Sequence, residues 1–273
     1  MNVFDILRSP VDQQPIDPDT LVSGGGISHN RTEAGILHLD SEQVRLSDQV
    51  YAHPQLERWA NLTKDVIPYY TSKKSIAGKI ANAGYRGLRT FNHAKESEWI
   101  LDIGCGNGAQ ADLLDNHSNY IGLDRNAQRL GMMLERHPNA TAIYGDAGAL
   151  PFKDKTLKYV FSSFAFEHIW YLKDAVMEID RCTTDDATVI IVIPTEGGLW
   201  NLGRNLISKP RFTKKYPDLD FEFVSHVQHC NQATQVIRTL ETFFKVKRRY
   251  MPTLIPSVYC NIFVELICTK QGA

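Results

Sequence analysis

The 273-residue chain lacks three features that would each indicate a different class of protein. Its net charge is only −1 at pH 7, so no global electrostatic field would recruit nucleic acid or an anionic membrane. Its five cysteines do not show the paired spacing of zinc sites or disulfide frameworks, which predicts no metal site and a reducing, cytoplasmic location. It shows neither a basic stretch followed by an apolar run nor an apolar run long enough to span a bilayer, so we expect no signal peptide and no transmembrane segment.

The clearest motif is a glycine-rich turn that follows an apolar strand at residues 99–103. Gly104, Gly106 and Gly108 let the chain turn tightly, and they let a ligand approach main-chain N–H groups at a helix start, where the partial charge is positive. Asp102 lies at the mouth of this turn. The pattern predicts a site for a cofactor that carries adenosine.

Two adenosine-bearing cofactors fit the turn. The glycine spacing also matches a dinucleotide fingerprint with Asp124 as the ribose-binding acid, which would make the protein an NAD(P)-dependent oxidoreductase. However, the Asp102 carboxylate would repel a pyrophosphate by roughly 4 kcal/mol per charge pair at about 4 Å and an effective dielectric constant of about 20. The same carboxylate would attract the ammonium and sulfonium groups of S-adenosylmethionine.

Two more acidic residues end predicted strands. Asp124 closes the run YIGLD and could accept hydrogen bonds from both hydroxyls of a ribose. Asp146 follows the next strand and could accept from an adenine amine, while the Ala147 N–H serves a ring nitrogen. Because the carboxyl ends of parallel strands meet at one edge of a sheet, we expect these groups to lie around one crevice.

Over about residues 99–270 the sequence resembles the class I S-adenosylmethionine-dependent methyltransferases. The resemblance rests on four segments, which are LDIGCGNG (101–108), YIGLDRN (120–126), YGDAGALPF (144–152) and FSSFAFEHI (161–169). It implies S-adenosylmethionine as cofactor, with its methionine part held by Asp102 and the glycine turn. It likewise implies that Asp124 binds the ribose and that Asp146 and Ala147 bind the adenine. Arg125 and Ser163 complete the predicted cofactor-binding set.

Strand and helix patterns alternate through most of the chain, which predicts an α/β fold with right-handed crossovers. We expect a doubly wound, mostly parallel seven-stranded sheet with a terminal antiparallel hairpin, plus a small N-terminal appendage. The predicted divisions are an appendage at 1–50, a helical cap at 51–98 and a methyltransferase core at 99–273 with a lid insertion at about 195–229.

The first 50 residues resemble the zinc ribbon at the front of some bacterial ribosomal RNA guanine methyltransferases. The ribbon's cysteines are replaced here by Ser9, Asp12, Ser23 and Gly26, so a tetrahedral zinc shell cannot assemble. The pattern indicates either a ribbon that has lost its metal or an irregular leader.

Methyl transfer from a sulfonium is an in-line displacement that depends mostly on positioning, and a base is needed only for a weakly nucleophilic acceptor. His168 is the best candidate base, because imidazole titrates near neutral pH, although it could instead pack within the cofactor loop. Glu196 could orient an amine or a sugar hydroxyl, and His226 could act as a base or a substrate ligand.

The sequence therefore predicts a methyltransferase that acts by in-line transfer to O or N of a small molecule or a glycan or sugar-nucleotide precursor. Basic residues of the lid, among them Arg211 and Lys214, suit an acidic acceptor. An RNA methyltransferase is the alternative within the same chemistry. A nicotinamide-dependent oxidoreductase and a non-catalytic cofactor-binding subunit are the alternatives from other classes, and the sequence makes no prediction of oligomeric state.

Overall fold

The computed structural model describes residues 2–39, 52–59, 62, 79, 82–195, 205–206, 209–253 and 255–271, apart from the side chain of His226. Nine strands in this part of the chain form one mixed sheet in the order β1-β2-β5-β4-β3-β6-β7-β9-β8. They are β1 (Asn30–Arg31), β2 (Leu37–His38), β3 (Ile100–Ile103), β4 (Tyr120–Asp124), β5 (Thr141–Tyr144), β6 (Leu157–Ser163), β7 (Thr183–Pro194), β8 (Phe244–Met251) and β9 (Phe263–Lys270).

The centre of the sheet is parallel, from β5 through β4, β3 and β6 to β7. Most of these strands are short and mainly apolar, and β3 is buried along its whole length. Such runs are typical of parallel strands that are covered on both faces. Two hydrophobic clusters flank the sheet, with Leu101 and Ile103 in one and Ile100 in the other, as the alternation of side chains along a strand requires.

Helices follow the parallel strands and cover the sheet. They are α1 (Ala127–Arg136), α2 (Leu172–Cys182), α3 (Lys209–Lys215), α4 (Phe221–Gln228) and α5 (Ala233–Glu241). Asn126 caps α1, because its side chain accepts a hydrogen bond from the Arg129 N–H at 3.0 Å. The sequence pattern also predicts a helix at 108–117, but only a 3₁₀ turn forms at Ala109–Leu113. The Asn92 side chain donates to the Leu113 carbonyl and His117 Nε2 pairs with the Ala111 carbonyl, which satisfies groups that a longer helix would use.

The predicted count of seven strands is wrong, because the N-terminal segment adds two strands to the sheet. β2 pairs in parallel with β5, and β1 pairs antiparallel with β2. Each has only two residues, which is too short for a periodic pattern to show in the sequence. Ile6, Leu7 and Leu37 are buried in the main hydrophobic cluster, so this segment packs on the core. At the opposite edge, β8 and β9 form the expected antiparallel pair.

A short helical segment at residues 54–59 packs against α3 and α4. The Trp59 ring lies 5.3 Å from the Phe212 ring between centroids, and Trp59 Nε1 donates to Gln228 Oε1 at 2.9 Å. Part of the predicted cap, including residues 63–78, lies outside the described residues. No helix within the described ranges is both long and apolar enough to cross a membrane.

Candidate active site

A cavity of about 600 Å³ opens at the carboxyl edge of the parallel strands. Its wall combines the turn after β3, the end of β4, the loop after β5 and the segment after β6, and it is completed by Leu56 and Gln228. Six of the site residues predicted from the sequence line it, namely Gly104, Asp124, Arg125, Asp146, Ala147 and His168. The crevice expected at the strand ends is therefore present.

The glycine turn has the backbone that its sequence requires. Gly104, Gly106 and Gly108 have φ values of 73°, 55° and 70°, which lie in the left-handed region that favours glycine. A Cβ on Gly104 would lie 2.3 Å from the Ala165 Cβ, so the turn packs tightly against the segment after β6. A Cβ on Gly106 would meet no atom within 4 Å, so this side of the turn faces open space.

Two carboxylates are held in place on the cavity wall. Asp124 accepts hydrogen bonds from the N–H groups of Gly106 and Asn126, each at 2.8 Å. Asp146 accepts from the Gly148 N–H at 2.8 Å, and its second oxygen lies 3.6 Å from Arg125 Nε. Backbone donors thus orient both carboxylates, and Arg125 adds an ion pair to Asp146.

Asp102 lies in a different environment from the other two acids. Its side chain is completely buried and does not line the cavity, so its contact with a cofactor stays a prediction. The Tyr120 hydroxyl donates to its Oδ2 at 2.6 Å, while Oδ1 has no hydrogen-bond partner within the described part of the chain. Burial is the largest influence and raises the pKa of Asp102 from 3.8 to about 7.

Ser163 is the last residue of β6 and is also buried. Its Oγ finds no hydrogen-bond partner among the residues that the structure describes. A buried hydroxyl without a partner is unfavourable by about 1–3 kcal/mol, so an incoming polar ligand atom would be stabilised there. Ser163 thus stays a candidate for cofactor binding, although it does not line the cavity itself.

His168 ends the 3₁₀ turn Phe166–His168 and lines the cavity with a half-exposed ring. Its Nδ1 lies 2.5 Å from the Gln228 carbonyl oxygen. Because a carbonyl can only accept, Nδ1 carries the hydrogen, and in the neutral ring Nε2 is the basic nitrogen. Nε2 lies 3.9 Å from Glu167 Oε1, and the His229 ring packs edge-on at 4.7 Å between centroids.

Two predicted catalytic residues are not placed by the structure. Glu196 lies outside the described residues, and His226 belongs to α4 but its side chain is not described. Within the described ranges, no group of three His, Cys, Asp or Glu side chains is arranged to hold a metal ion.

Sequence reasoning missed two residues of this region. Tyr120 contacts Asp102 because Asp102 aligns with Gly122 on the adjacent strand, and Tyr120 is two residues away on the same face. That relation could have been read from the alternation along YIGLD. Gln228 gave no such signal, since it comes from α4, 60 residues after the histidine it contacts.

Residues 101–191 match a family model described as "Methyltransferase domain". Three curated relatives match parts of the chain. An uncharacterised protein of Methanocaldococcus jannaschii is 31% identical over 36% of this chain and 38% of its own length. The 18S rRNA (guanine-N(7))-methyltransferase of Bos taurus is 35% identical over 25% of each chain. The demethylmenaquinone methyltransferase of Renibacterium salmoninarum is 26% identical over 48% of this chain and 56% of its own.

The matches thus span between about a quarter and just over half of the relatives' lengths. Among solved structures, a phosphoethanolamine N-methyltransferase of Haemonchus contortus has a TM-score of 0.53 at 16% identity, covering 84% of this chain and 61% of its own. A Thermotoga maritima protein described as a possible histamine N-methyltransferase has a TM-score of 0.52 at 15% identity, covering 80% and 98%. These likenesses show the fold, and the family match indicates a methyltransferase domain over residues 101–191.

Proposed function

We propose that this protein is an S-adenosylmethionine-dependent methyltransferase that transfers a methyl group to O or N of a small molecule or a glycan or sugar-nucleotide precursor. The observation that carries the proposal is one cavity lined by Gly104 at the start of the glycine turn, by the carboxylates of Asp124 and Asp146 and by His168. The predicted cofactor-binding residues and the candidate base thus lie in one cavity, where the methyl donor and the acceptor could be held close together for an in-line transfer.

The residues present fit this cofactor. Asp124 would accept from the ribose hydroxyls, Asp146 and the Ala147 N–H would bind the adenine, and Arg125 would flank it beside Asp146. Asp102 and the turn would hold the methionine end, where Asp102 Oδ1 lacks a partner in the described part of the chain. A nicotinamide dinucleotide fits less well, because its pyrophosphate would lie near the acids that border the turn.

S-adenosylmethionine supplies a methyl group bonded to a positively charged sulfur. His168 would take the proton of the acceptor's O–H or N–H group at Nε2, since Nδ1 is engaged by the Gln228 carbonyl. The Glu167 carboxylate, which is 3.9 Å from Nε2, would stabilise the imidazolium that results. General base catalysis of this kind contributes about 10²- to 10⁴-fold.

The cavity wall supports a small acceptor with an apolar part. Leu56, Ile169 and Trp170 contribute apolar surface, and Trp170 is 42% exposed. Arg129 lies on the same wall as Arg125, which suits an acceptor that also carries negative charge.

The unpaired state of all five cysteines supports a cytoplasmic location.

An RNA methyltransferase is the second candidate, and two observations favour it. One is the partial match to the bovine ribosomal RNA enzyme. The other is the N-terminal segment, where positions that carry zinc ligands in a ribbon lie together. The Ser23 hydroxyl donates to Asp12 Oδ2, the Asp12 N–H donates to Ser9 Oγ at 3.5 Å, and the Gly26 N–H donates to the Ser23 carbonyl at 2.8 Å. We infer a ribbon in which hydrogen bonds stand in for a metal.

A methyl-transfer screen tests the proposal. The purified protein is incubated with methyl-labelled S-adenosylmethionine and, in separate arms, with nucleotide sugars, lipid precursors or RNA. We expect label in a small-molecule arm, and label in RNA alone would favour the second candidate. Binding of the cofactor without transfer in any arm would indicate a non-catalytic subunit.

Two substitutions identify the base in the active arm. His168→Gln should lower turnover by about 10²- to 10⁴-fold and leave the affinity for S-adenosylhomocysteine within a few-fold. His226→Gln is the parallel variant that tests the second candidate base. If turnover falls only in the His226 variant, the assignment of His168 is wrong.

A further inference from the structure

Asp102 and Tyr120 form a buried pair, and the cofactor-binding roles assigned above do not account for Tyr120. Both side chains are completely buried, and the Tyr120 hydroxyl donates to Asp102 Oδ2 at 2.6 Å. Asp102 Oδ1 has no hydrogen-bond partner in the described residues. A buried carboxylate with one oxygen satisfied and the other not is incomplete, because buried charges need a cation or several donors.

The local sequence produces this pair directly. Asp102 aligns with Gly122 on β4, where there is no side chain, and Tyr120 lies two residues before that glycine on the same face. Gly122 is tightly enclosed, since a Cβ there would lie 2.3 Å from Met133 Sδ and 2.7 Å from Cys105 Sγ. The tyrosine is therefore the group on β4 that reaches the carboxylate.

The main influences on the pKa of Asp102 from the described part of the chain do not include a cation. Burial raises its pKa most, while the Tyr120 hydroxyl and the nearby Gln110 amide, which donates to the Cys105 carbonyl at 2.9 Å, lower it, and nearby Asp124 raises it further. The charge of Asp102 also contributes to the raised pKa values of Tyr85 and Cys105, after the larger effect of burial. Within the described residues, the site thus provides donors but no positive charge for Asp102.

We propose that Tyr120 is a positioning residue for the cofactor, whose hydroxyl fixes the Asp102 carboxylate through Oδ2 and leaves Oδ1 for the cofactor's ammonium group. This inference rests on the proposed function, because it requires a ligand with a cationic amino end. A donor on one oxygen favours the ionised carboxylate, which is the form that attracts an ammonium. Tyr120 would then set the pH range over which the cofactor binds.

The test is the substitution Tyr120→Phe, which removes the hydroxyl and keeps the ring. Binding of S-adenosylhomocysteine is measured by calorimetry from pH 5.5 to 8.5. A hydrogen bond to a charged group favours the ionised form of that group by about 10- to 100-fold. Loss of the Tyr120 hydroxyl should therefore raise the pKa of Asp102 by about 1–2 in the variant. The affinity of the variant should therefore be lower by about 10- to 100-fold at pH 5.5, and by only a few-fold at pH 8.5.

Tyr159→Phe is the matched control. Tyr159 is also buried in the same cluster, but its hydroxyl lies 3.2 Å from His93 Nε2 and not at Asp102. Its loss should leave the pH dependence of binding unchanged. A Tyr120→Phe loss that is equal at every pH, or no loss at all, would overturn the positioning role.

The outcomes separate this inference from the proposed function. If wild-type protein does not bind S-adenosylhomocysteine, the proposed function and the inference built on it both fail. If wild type binds and Tyr120→Phe behaves as wild type, only the role of Tyr120 fails. A thermal melt of each variant at both pH values checks that binding is compared between folded proteins.

Discussion

Replacing Asp102 by Asn should stabilise the ligand-free protein at pH 8 while it weakens cofactor binding. The pKa of Asp102 is 3.8 in an ordinary setting and about 7 in the folded protein. Below pH 3.8 the Asp102 carboxyl is protonated in both the folded and the unfolded protein, so it does not lower the free energy of unfolding. Between 3.8 and 7 the unfolded chain loses the proton and the folded chain keeps it, so stability falls as pH rises. At about 1.4 kcal/mol per pKa unit, the penalty above pH 7 is about 4 kcal/mol.

Asparagine cannot ionise, so the variant escapes this penalty. Its amide would lack one hydrogen-bond partner, which costs about 1–3 kcal/mol, so the net gain at pH 8 should be about 1–3 kcal/mol. This corresponds to a rise of a few degrees in Tm. At pH 5 the wild-type penalty shrinks to about 1.6 kcal/mol, so the advantage of the variant should fall by about 2.5 kcal/mol.

The assay is denaturant unfolding of both proteins at pH 5 and pH 8, followed by circular dichroism. Asp115→Asn, at an exposed position, controls for the general effect of removing one negative charge. A stability gain from Asp102→Asn that is the same at both pH values, or a variant less stable than wild type at pH 8, would refute the reasoning. Saturating S-adenosylhomocysteine should raise the Tm of wild type more than that of the variant.

Three further substitutions test other parts of the account. Gly104→Ala should lower the free energy of unfolding by about 2–5 kcal/mol, because the backbone there has a left-handed φ and the added Cβ would clash with Ala165. Denaturant unfolding measures this, and an unchanged midpoint would contradict the described packing. Gly106→Ala should lower the free energy of unfolding by only about 1–2 kcal/mol, since its φ is left-handed but a Cβ would meet no other atom. It should nevertheless weaken S-adenosylhomocysteine binding in calorimetry, because the methyl group fills the open side of the turn, and unchanged affinity would argue against a ligand there. Leu37→Ala should destabilise the whole protein by about 2–5 kcal/mol in one cooperative transition, whereas a separate early transition would mean that the N-terminal strands fold apart from the core.

The parallel centre of the sheet could be predicted from the sequence because its strands contain apolar runs, and three of them, β3, β4 and β5, end at or next to a glycine or an acid. The strand predicted at 99–103 and the observed β3 (Ile100–Ile103) differ by one residue, and β8 and β9 form the expected terminal antiparallel hairpin. Burial on both faces leaves a strong compositional signal. The positions of Asp124 and Asp146 followed from the rule that strand ends meet at one edge.

The rest depends on contacts that leave little local pattern. β1 and β2 have two residues each, and their pairing with the sheet is decided by the burial of Leu37 against the core. The pairing of His168 with the Gln228 carbonyl joins residues 60 positions apart, so no periodicity could indicate it. The burial of Asp102 was missed because the turn suggested a carboxylate at the surface of the crevice, whereas Tyr120 engages it within the core.

The most direct test of the central claim is calorimetric titration of the purified wild-type protein with S-adenosylhomocysteine and, separately, with NADH at pH 8. The account predicts saturable binding of S-adenosylhomocysteine and none of NADH, since the acids that border the turn attract a cationic ligand and repel a diphosphate. Saturable binding of NADH, with no heat from S-adenosylhomocysteine, would contradict it.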